Sequence, residues 1–243
     1  MLLIFMLTIL FNQMKKLFAL ILLLITLGTA FAKAPKNQYV RISTSYGQCI
    51  IRLYNQTPQH RDNFIKLAKK GFFNGTLFHR VIQNFMIQGG DPDSKNAKPG
   101  MQLGNGDVGY TIPAEFRDSL FHKRGVLAAA RDDNPKKASS GCQFYIVEGK
   151  RLTDSAIDKE EKKSGRKIPE WQREYYRAVG GTPHLDGNYT IFGEVVAGID
   201  MVDMIAAVKK DKYDRPLTDV PMTVEVLSKK ECKWLDKIYP PTP

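Results

Sequence analysis

Short runs of alternating apolar and polar residues, separated by turn signals, recur along most of the chain. Residues 39–44 and 49–54 alternate around a turn at 45–48 and predict a β-hairpin. Many short strands of this kind, together with few helices, favour a closed β-barrel or a sandwich with helices at its ends. Further strands are predicted at residues 77–82, 85–88, 126–130, 143–147, 190–196 and 220–227.

Two helices are predicted from start signals and apolar stripes. Thr57 and Pro58 suit the N-cap and first position of a helix that ends at Gly71, with Phe64, Leu67 and Ala68 as its apolar stripe. Residues 199–208 form a second, short helix. The stretch 92–113 is rich in Gly, Pro, Asn and Asp and is predicted to be loop. The tail from residue 229 to 243 ends in Pro-Pro-Thr-Pro and is predicted to be loose.

The segment 152–181 interrupts the strand pattern with a dense run of charge at 158–163. A second helical piece starts at Pro169, and Trp171, Tyr175 and Ala178 share one of its faces. Large apolar residues at this spacing predict an insertion docked on the host domain. A lid is the alternative.

The first 32 residues contain no acidic residue and two lysines, Lys15 and Lys16. An apolar run at 17–27 and the end Ala30-Phe31-Ala32 complete the pattern of a secretory signal cut before Lys33. Because residues 1–11 form another apolar run, translation starts at Met14 or the segment stays as an uncleaved anchor. The chain is therefore expected to be exported to the periplasm or cell envelope, with membrane contact only if the signal is not cleaved.

The remaining length suits one domain, at 33–228, that includes the insertion. The full chain has a formal net charge of +11, and loss of the two signal lysines lowers it by two. Such a basic surface favours acidic clients or anionic lipid headgroups. No compact block of Lys and Arg with interleaved aromatics occurs, so a nucleic-acid partner is not expected.

Motifs for metal, nucleotide or nucleophile chemistry are weak. The histidines show no metal-ligand spacing, and the cysteines form no Cys-x-x-Cys pair. Residues 104–109 fit Gly-x-Gly-x-x-Gly but neither follow a strand nor open a helix, so they are predicted to be loop. No metal or cofactor is expected, although a Ser/His/Asp group assembled in space stays open. Cys49, Cys142 and Cys232 permit one disulfide, in any of three pairings, or buried free thiols.

Residues 78–91 carry the most specific side chains. Arg80 stands among Phe and Met residues, and a buried charge is costly unless it has a partner. The pattern indicates a guanidinium that points into an apolar cavity. The alternative is an ordinary hairpin with Arg80 on a solvent-exposed face.

The stretches 78–80, 85–86 and 88–91 resemble the signature of the cyclophilins, the cyclosporin-binding class of peptidyl-prolyl cis-trans isomerases. Residues 125–130, 140–146, 184–187 and 190–193 are similar to later family motifs in the same order. The resemblance spans about residues 39–228 outside the insertion. It implies an all-β-dominated fold, an eight-stranded antiparallel closed β-barrel capped by two α-helices, here with a charged helical insertion. It also implies a monomer that acts on proline-containing polypeptide clients.

The resemblance also implies roles for individual residues. Arg80 would be catalytic, donating to the prolyl nitrogen as the amide twists, and Gln88 would hold the guanidinium and contact the substrate. Gln143 and the backbone of Arg131 would bind the substrate chain. His79 and Met86 could instead be ordinary core residues. The full predicted substrate-binding set is His79, Phe85, Met86, Ala130, Arg131, Gln143, Phe144, His184, Leu185 and Tyr189, in which Phe85, Met86, Phe144 and Leu185 line a proline pocket.

Five positions depart from the family pattern. His184 replaces a tryptophan, which should weaken cyclosporin binding more than isomerase activity. Tyr189 stands in place of a histidine, Arg131 in place of an asparagine, and residues 83–84 in place of a Pro-Gly turn. A non-catalytic proline-peptide-binding or chaperone module on the same barrel is the alternative function. A structural role in an envelope complex, through the insertion, is compatible with either.

Overall fold

A computed structural model of the chain describes residues 37–240. The predicted signal segment lies outside these residues, as do Pro241, Thr242 and Pro243. Within the described range, no helix combines the length and the apolar character needed to span a bilayer.

The described residues form ten strands and five α-helices, and every strand and helix predicted from the sequence pattern is present within a few residues. The strands are β1 (Gln38–Thr44), β2 (Gly47–Leu53), β3 (Phe78–Ile82), β4 (Met86–Gly89), β5 (Thr111–Ile112), β6 (Val126–Ala129), β7 (Ser139–Ser140), β8 (Phe144–Val147), β9 (Ile191–Ala197) and β10 (Thr223–Val226). The helices are α1 (Pro58–Lys69), α2 (Asp154–Ser164), α3 (Glu170–Ala178), α4 (Asp200–Ala206) and α5 (Lys229–Ile238).

Eight of the strands form one antiparallel sheet in the order β10-β1-β2-β9-β6-β8-β4-β3. The regular ladder is open between the two edge strands, so the expected full closure of the barrel is not present. The edges still approach, because Leu77 and Pro221 form an isolated bridge. Next to it, the amide of Phe78 donates to the carbonyl of Val220 over 3.0 Å. The sheet therefore has the form of a half-barrel.

One face of this sheet packs on the helices to form the main core. The predicted stripe of α1, Phe64, Leu67 and Ala68, is buried there against strand residues such as Ile51 and Phe78. Thr57 is the N-cap residue, but its side chain makes no capping bond. The first amides of α1 donate instead to the carboxylate of Glu115, which suits the positive end of the helix dipole.

The insertion consists of α2 and α3 and packs on the sheet domain through a small cluster of its own. This cluster joins Ile157, Ile168 and Tyr176 of the insertion to Phe121 of the host. The predicted buried face of α3 is wrong: Trp171 is 47% exposed and Tyr175 is 37% exposed, although both rings touch Phe121 edge-on.

The buried residues of α3 are instead Gln172 and Tyr176, whose polar atoms find partners inside. The Gln172 side-chain amide donates to the carbonyl of Asp118, and the Tyr176 hydroxyl donates to the carboxylate of Asp186 over 2.6 Å. Because these bonds offset the cost of burying polar groups, apolar spacing alone gave the wrong face.

The C-terminal segment is not loose, because residues 229–238 form α5. Ser228 and Glu231 make a reciprocal capping box at its start. Leu235 packs beside Tyr39, and the Tyr39 hydroxyl donates to Asp236 over 2.8 Å. The helix is thereby fixed to β1.

All three cysteines are free thiols in the structure. Cys49 and Cys142 are buried, and Cys232 is half-buried. Burial raises the pKa of Cys49 to about 12, which keeps that thiol protonated and unreactive.

Candidate active site

The outer face of the sheet carries a row of side chains from four neighbouring strands. Arg80 of β3 lies opposite Gln88 of β4, Gln88 lies opposite Tyr145 of β8, and Tyr145 lies opposite Ala128 of β6. Residues directly opposite each other on adjacent strands share one face of the sheet. The register therefore brings the predicted Arg80 and Gln88 together on the face that is turned away from the main core.

A chain of hydrogen bonds orients the polar part of this row. The Arg80 Nη1 donates to the Gln88 Oε1 over 3.3 Å, and the Gln88 Nε2 donates to the Gln143 Oε1 over 3.1 Å. The Gln143 Nε2 donates in turn to the carbonyls of Gly104 and Gly106, both over 2.8 Å. Because each amide accepts on one side and donates on the other, the oxygen of Gln88 must face the guanidinium.

Arg80 itself is half-buried. Within residues 37–240 it forms no ion pair with a carboxylate. The guanidinium has five N–H donors, and the bond to Gln88 uses one of them. Donors therefore stay available for a ligand on the outer face.

An apolar cluster adjoins the guanidinium on this face. Its buried members include Met86, Tyr145 and Leu185, and its half-buried members include Phe85 and Tyr189. Ala130 also packs against it, so five of the residues predicted to bind substrate meet here. His184 is exposed at the edge of this cluster, and the centre of its ring lies 5.4 Å from the centre of the Phe85 ring.

Phe144 is not part of this apolar cluster, so its sequence-based assignment to the proline pocket is wrong. Its ring is buried in the main core, edge-on to Phe64 at 5.3 Å and to Phe73 at 5.6 Å. Side chains alternate along a strand, so Phe144 and its neighbour Tyr145 face opposite sides of the sheet. Tyr145 occupies the predicted place of Phe144. The signal was present in the sequence, because Gln143 and Tyr145 are two residues apart and share a face.

His79 is a core histidine rather than a substrate contact. It is next to Arg80 on β3, and the residue is 3% exposed. The ring lies beneath the loop at Gly104, where an added Cβ would be 3.6 Å from the Nε2. Burial lowers the pKa of His79 to about 4.

The backbone around Arg131 borders a groove of about 460 Å³ beside the Arg80 row. The predicted residues Gln88, Ala130, Arg131 and Gln143 all line it. The Arg131 guanidinium lies 4.9 Å from the centre of the Tyr189 ring, and its Nε donates to the carbonyl of Asn188 over 2.9 Å. The side chain of Arg131 thus contacts Asn188 and Tyr189 at the edge of the groove.

The glycine-rich segment 104–109, which the sequence predicted to be loop, also lines this groove. Gly104 donates its amide to the carboxylate of Asp91. A Cβ on Gly106 would lie 2.1 Å from the Asp91 Oδ1, so this close approach requires glycine. Among the described residues, no group of three or more His, Cys, Asp or Glu side chains is placed to hold a metal ion.

A Ser/His/Glu group does assemble in space, although the sequence gave no sign of it. The His60 Nδ1 lies 2.7 Å from the Glu115 Oε2, and its Nε2 lies 3.0 Å from the Ser139 Oγ. All three residues are buried, so no substrate reaches the hydroxyl. The group instead connects the start of α1 to β7.

Comparison with known proteins agrees with this fold and identifies its family. The sequence model described as "Cyclophilin type peptidyl-prolyl cis-trans isomerase/CLD" matches residues 39–226. The chain is 36% identical over 192 residues to a putative bifunctional phosphatase/peptidyl-prolyl cis-trans isomerase of Streptococcus pyogenes, covering 77% of this chain and 38% of that protein. It is 36% identical over 163 residues to a putative peptidyl-prolyl cis-trans isomerase of Staphylococcus saprophyticus, covering 67% of this chain and 77% of the relative.

A crystal structure of a Cryptosporidium parvum cyclophilin type peptidyl-prolyl cis-trans isomerase superposes with a TM-score of 0.58 at 26% identity, covering 79% of this chain and 99% of that one. The same protein was also crystallised in the presence of the dipeptide Ala-Pro. The β-rich half-barrel is thus the fold of a known class of proteins. The chain belongs to the cyclophilin-type peptidyl-prolyl cis-trans isomerase family. It spans 38% and 29% of the lengths of two of its curated relatives, which are larger proteins.

Proposed function

We propose that this protein is a peptidyl-prolyl cis-trans isomerase that accelerates X-Pro bond rotation in polypeptide clients. The observation that carries the proposal is the Arg80 guanidinium, held by Gln88 beside the apolar cluster that contains Met86, Tyr145 and Leu185. A hydrogen-bond donor beside an apolar cluster suits a prolyl residue, because its ring is apolar and its nitrogen carries no hydrogen. The Ala-Pro dipeptide used with the Cryptosporidium parvum relative is of this chemical type.

The proposed mechanism needs no covalent intermediate. Isomerisation is slow, because the C–N bond has partial double-bond character. As the amide twists, its nitrogen becomes pyramidal and gains a lone pair that can accept a hydrogen bond. A guanidinium that donates to this nitrogen stabilises the twisted state more than the planar one, which lowers the barrier. Gln88 keeps the guanidinium in place beforehand, so little reorganisation is needed.

Substitution of Arg80 tests this mechanism. Arg80→Ala should lower kcat/KM for a proline tetrapeptide in a protease-coupled assay by about 100-fold or more, as expected for loss of an aligned donor. Arg117→Ala is the matched control, because Arg117 is exposed and contacts the carbonyl of Phe116. The proposal fails if the wild type turns over the peptide at the uncatalysed rate. Binding of the peptide without acceleration would favour the non-catalytic binding or chaperone module instead.

We also propose that the clients are exported polypeptides of the periplasm or cell envelope. The support is the basic, apolar and Ala-x-Ala pattern of residues 1–32. Cell fractionation with N-terminal sequencing of the mature protein tests it. A mature chain that starts at Lys33 in the envelope fraction is the expected result, and a full-length chain in the cytoplasm contradicts it.

A further inference from the structure

A buried hydrogen-bonded network joins the insertion to the site. The Tyr176 hydroxyl of α3 donates to the Asp186 Oδ2, and Arg166, between α2 and α3, donates to the same oxygen. The other carboxylate oxygen, Oδ1, accepts from the backbone amide of His122 over 2.7 Å and lies 2.9 Å from its Nδ1. The His122 Nε2 lies 2.9 Å from the hydroxyl of Tyr145, which lies opposite Gln88 in the row of side chains on the outer face.

Two groups that can only donate fix the role of Asp186 in this network. The backbone amide of His122 and the guanidinium of Arg166 can act only as donors, so Asp186 must present an oxygen to each side. Burial alone would raise the pKa of Asp186, but the bonds from His122 and Tyr176 lower it overall and favour the carboxylate. In the neutral ring, the Nδ1 then carries the hydrogen, and the bare Nε2 accepts from the Tyr145 hydroxyl.

Asp186 also directly follows Leu185 in the chain, so the network contacts Tyr145 and adjoins Leu185. Leu185 and Tyr145 belong to the same apolar cluster, and the ring of Tyr189 packs edge-on against Tyr145 at 5.9 Å. The insertion returns to the sheet domain next to this point, where the amide of Thr182 donates to the carbonyl of His122 over 2.8 Å.

We propose that Tyr176 and Asp186 are positioning residues of the isomerase site, and that the insertion acts as a buried support that fixes Tyr145 through His122. This inference rests on the proposed isomerase function. It assigns the insertion a role different from a lid, because the contact between Tyr176 and Asp186 is buried inside the protein. Tyr176 touches neither the guanidinium nor the pocket, so its effect reaches the substrate through Tyr145 and Leu185.

The experiment compares the removal of two neighbouring hydroxyls from α3. Tyr176→Phe removes the bond to Asp186, whereas Tyr175→Phe removes a hydroxyl from the half-exposed ring beside it and keeps the contact with Phe121. We expect Tyr176→Phe to lower kcat/KM for a proline tetrapeptide about 3- to 10-fold, mainly through KM, because the pocket wall loses its fixed position. The control should keep both kcat and KM. Equal values for the two variants would overturn the proposal.

Two further measurements separate positioning from general loss of stability. If Tyr176 acts through Tyr145, the double variant Tyr176→Phe/Tyr145→Phe should lose no more than the worse single variant, and a loss equal to the product of the two contradicts the proposal. The ring ¹⁵N signals of His122 should shift in Tyr176→Phe but not in Tyr175→Phe. Unchanged signals in both also contradict it.

If Tyr176→Phe does not fold, Arg166→Gln tests the same network, because it removes the other side-chain donor to the Asp186 Oδ2. Arg177→Gln is its control, because Arg177 pairs with the exposed Asp154 and Glu170. The inference can also fail separately from the proposed function. If the wild type shows no isomerase activity, affinity for the same tetrapeptide replaces kcat/KM as the measurement. Weaker binding by Tyr176→Phe then supports the positioning role, and equal binding overturns it.

Discussion

Arg80 and Gln88 lie opposite each other on β3 and β4, and the amide oxygen of Gln88 accepts a hydrogen bond from the guanidinium over 3.3 Å. Gln143 holds the other end of this amide. The guanidinium is thus oriented by a neutral partner, which keeps its charge available for a ligand. A carboxylate in the same place would neutralise the arginine that the proposed mechanism needs.

Gln88→Ala should therefore lower kcat more than it raises KM. The substitution leaves Arg80 charged but free to adopt other rotamers, so fewer molecules present the donor correctly to the twisted amide. We expect kcat/KM to fall about tenfold, which corresponds to about 1.4 kcal/mol of transition-state stabilisation. Steady-state kinetics on a proline tetrapeptide gives the measurement, with Gln83→Ala in the exposed turn as control. A change confined to KM would contradict the orienting role.

Sequence patterns predicted the strands because alternation is a local property of the chain. The resemblance to the cyclophilins predicted Arg80, Gln88, Met86 and Leu185 for the site, and the structure brings these residues to one face. The error at Phe144 was one of phase: Gln143 was placed in the site, and the two-residue period then requires Tyr145 beside it. The capping box of Ser228 and Glu231 likewise marked α5 in the sequence, but the proline-rich end suggested a loose tail.

Other features could not be predicted, because they depend on residues that meet only in the folded chain. Asp186 and Tyr176 are joined by the way the insertion packs on the sheet domain, and no local pattern encodes that contact. The buried face of α3 was missed for the same reason. Its polar residues are buried only because distant partners satisfy them.

The stability of the protein should fall in mild acid through His79. Burial lowers the pKa of this residue from its ordinary value of 6.5 to about 4, so between these pH values the unfolded chain binds a proton that the folded chain does not. Protonation of His79 in the unfolded chain therefore lowers the unfolding free energy by about 2 to 3 kcal/mol as the pH drops through this window. Above pH 6.5, His79 is neutral in both states and adds no pH dependence to the unfolding free energy.

Urea unfolding of the wild type and of His79→Phe at pH values from 7.5 to 4.5 measures this contribution. Altered packing can make the variant less stable at every pH. Its unfolding free energy should nevertheless fall less between pH 7.5 and 4.5 than that of the wild type, by about 2 to 3 kcal/mol. Parallel curves would show that His79 does not cause the acid sensitivity.

Asn84 should tolerate glycine but not a β-branched residue. It occupies the turn between β3 and β4 with a φ of 62°, and the amide of Phe85 closes the turn on the carbonyl of Ile82 over 3.0 Å. Left-handed backbone costs an ordinary residue about 1–2 kcal/mol, whereas glycine adopts it freely. Asn84→Val should lower the unfolding free energy by about this amount, and Asn84→Gly should change it by less than about 0.5 kcal/mol. Equal stability of the two variants in urea titrations would show that the turn is not strained.

His184→Trp should increase the affinity for cyclosporin more than it changes catalysis. His184 stands at the exposed rim with its ring against Phe85, where the cyclophilin pattern has a tryptophan. An indole would add apolar area and an N–H donor at this rim without touching the Arg80–Gln88 pair. We expect the Kd for cyclosporin to fall about tenfold or more, equivalent to about 1.4 kcal/mol, and kcat/KM for a tetrapeptide to change less than about threefold. Calorimetric titration measures the first quantity and the protease-coupled assay the second. Comparable changes in both would mean that this rim position serves the substrate as much as the inhibitor.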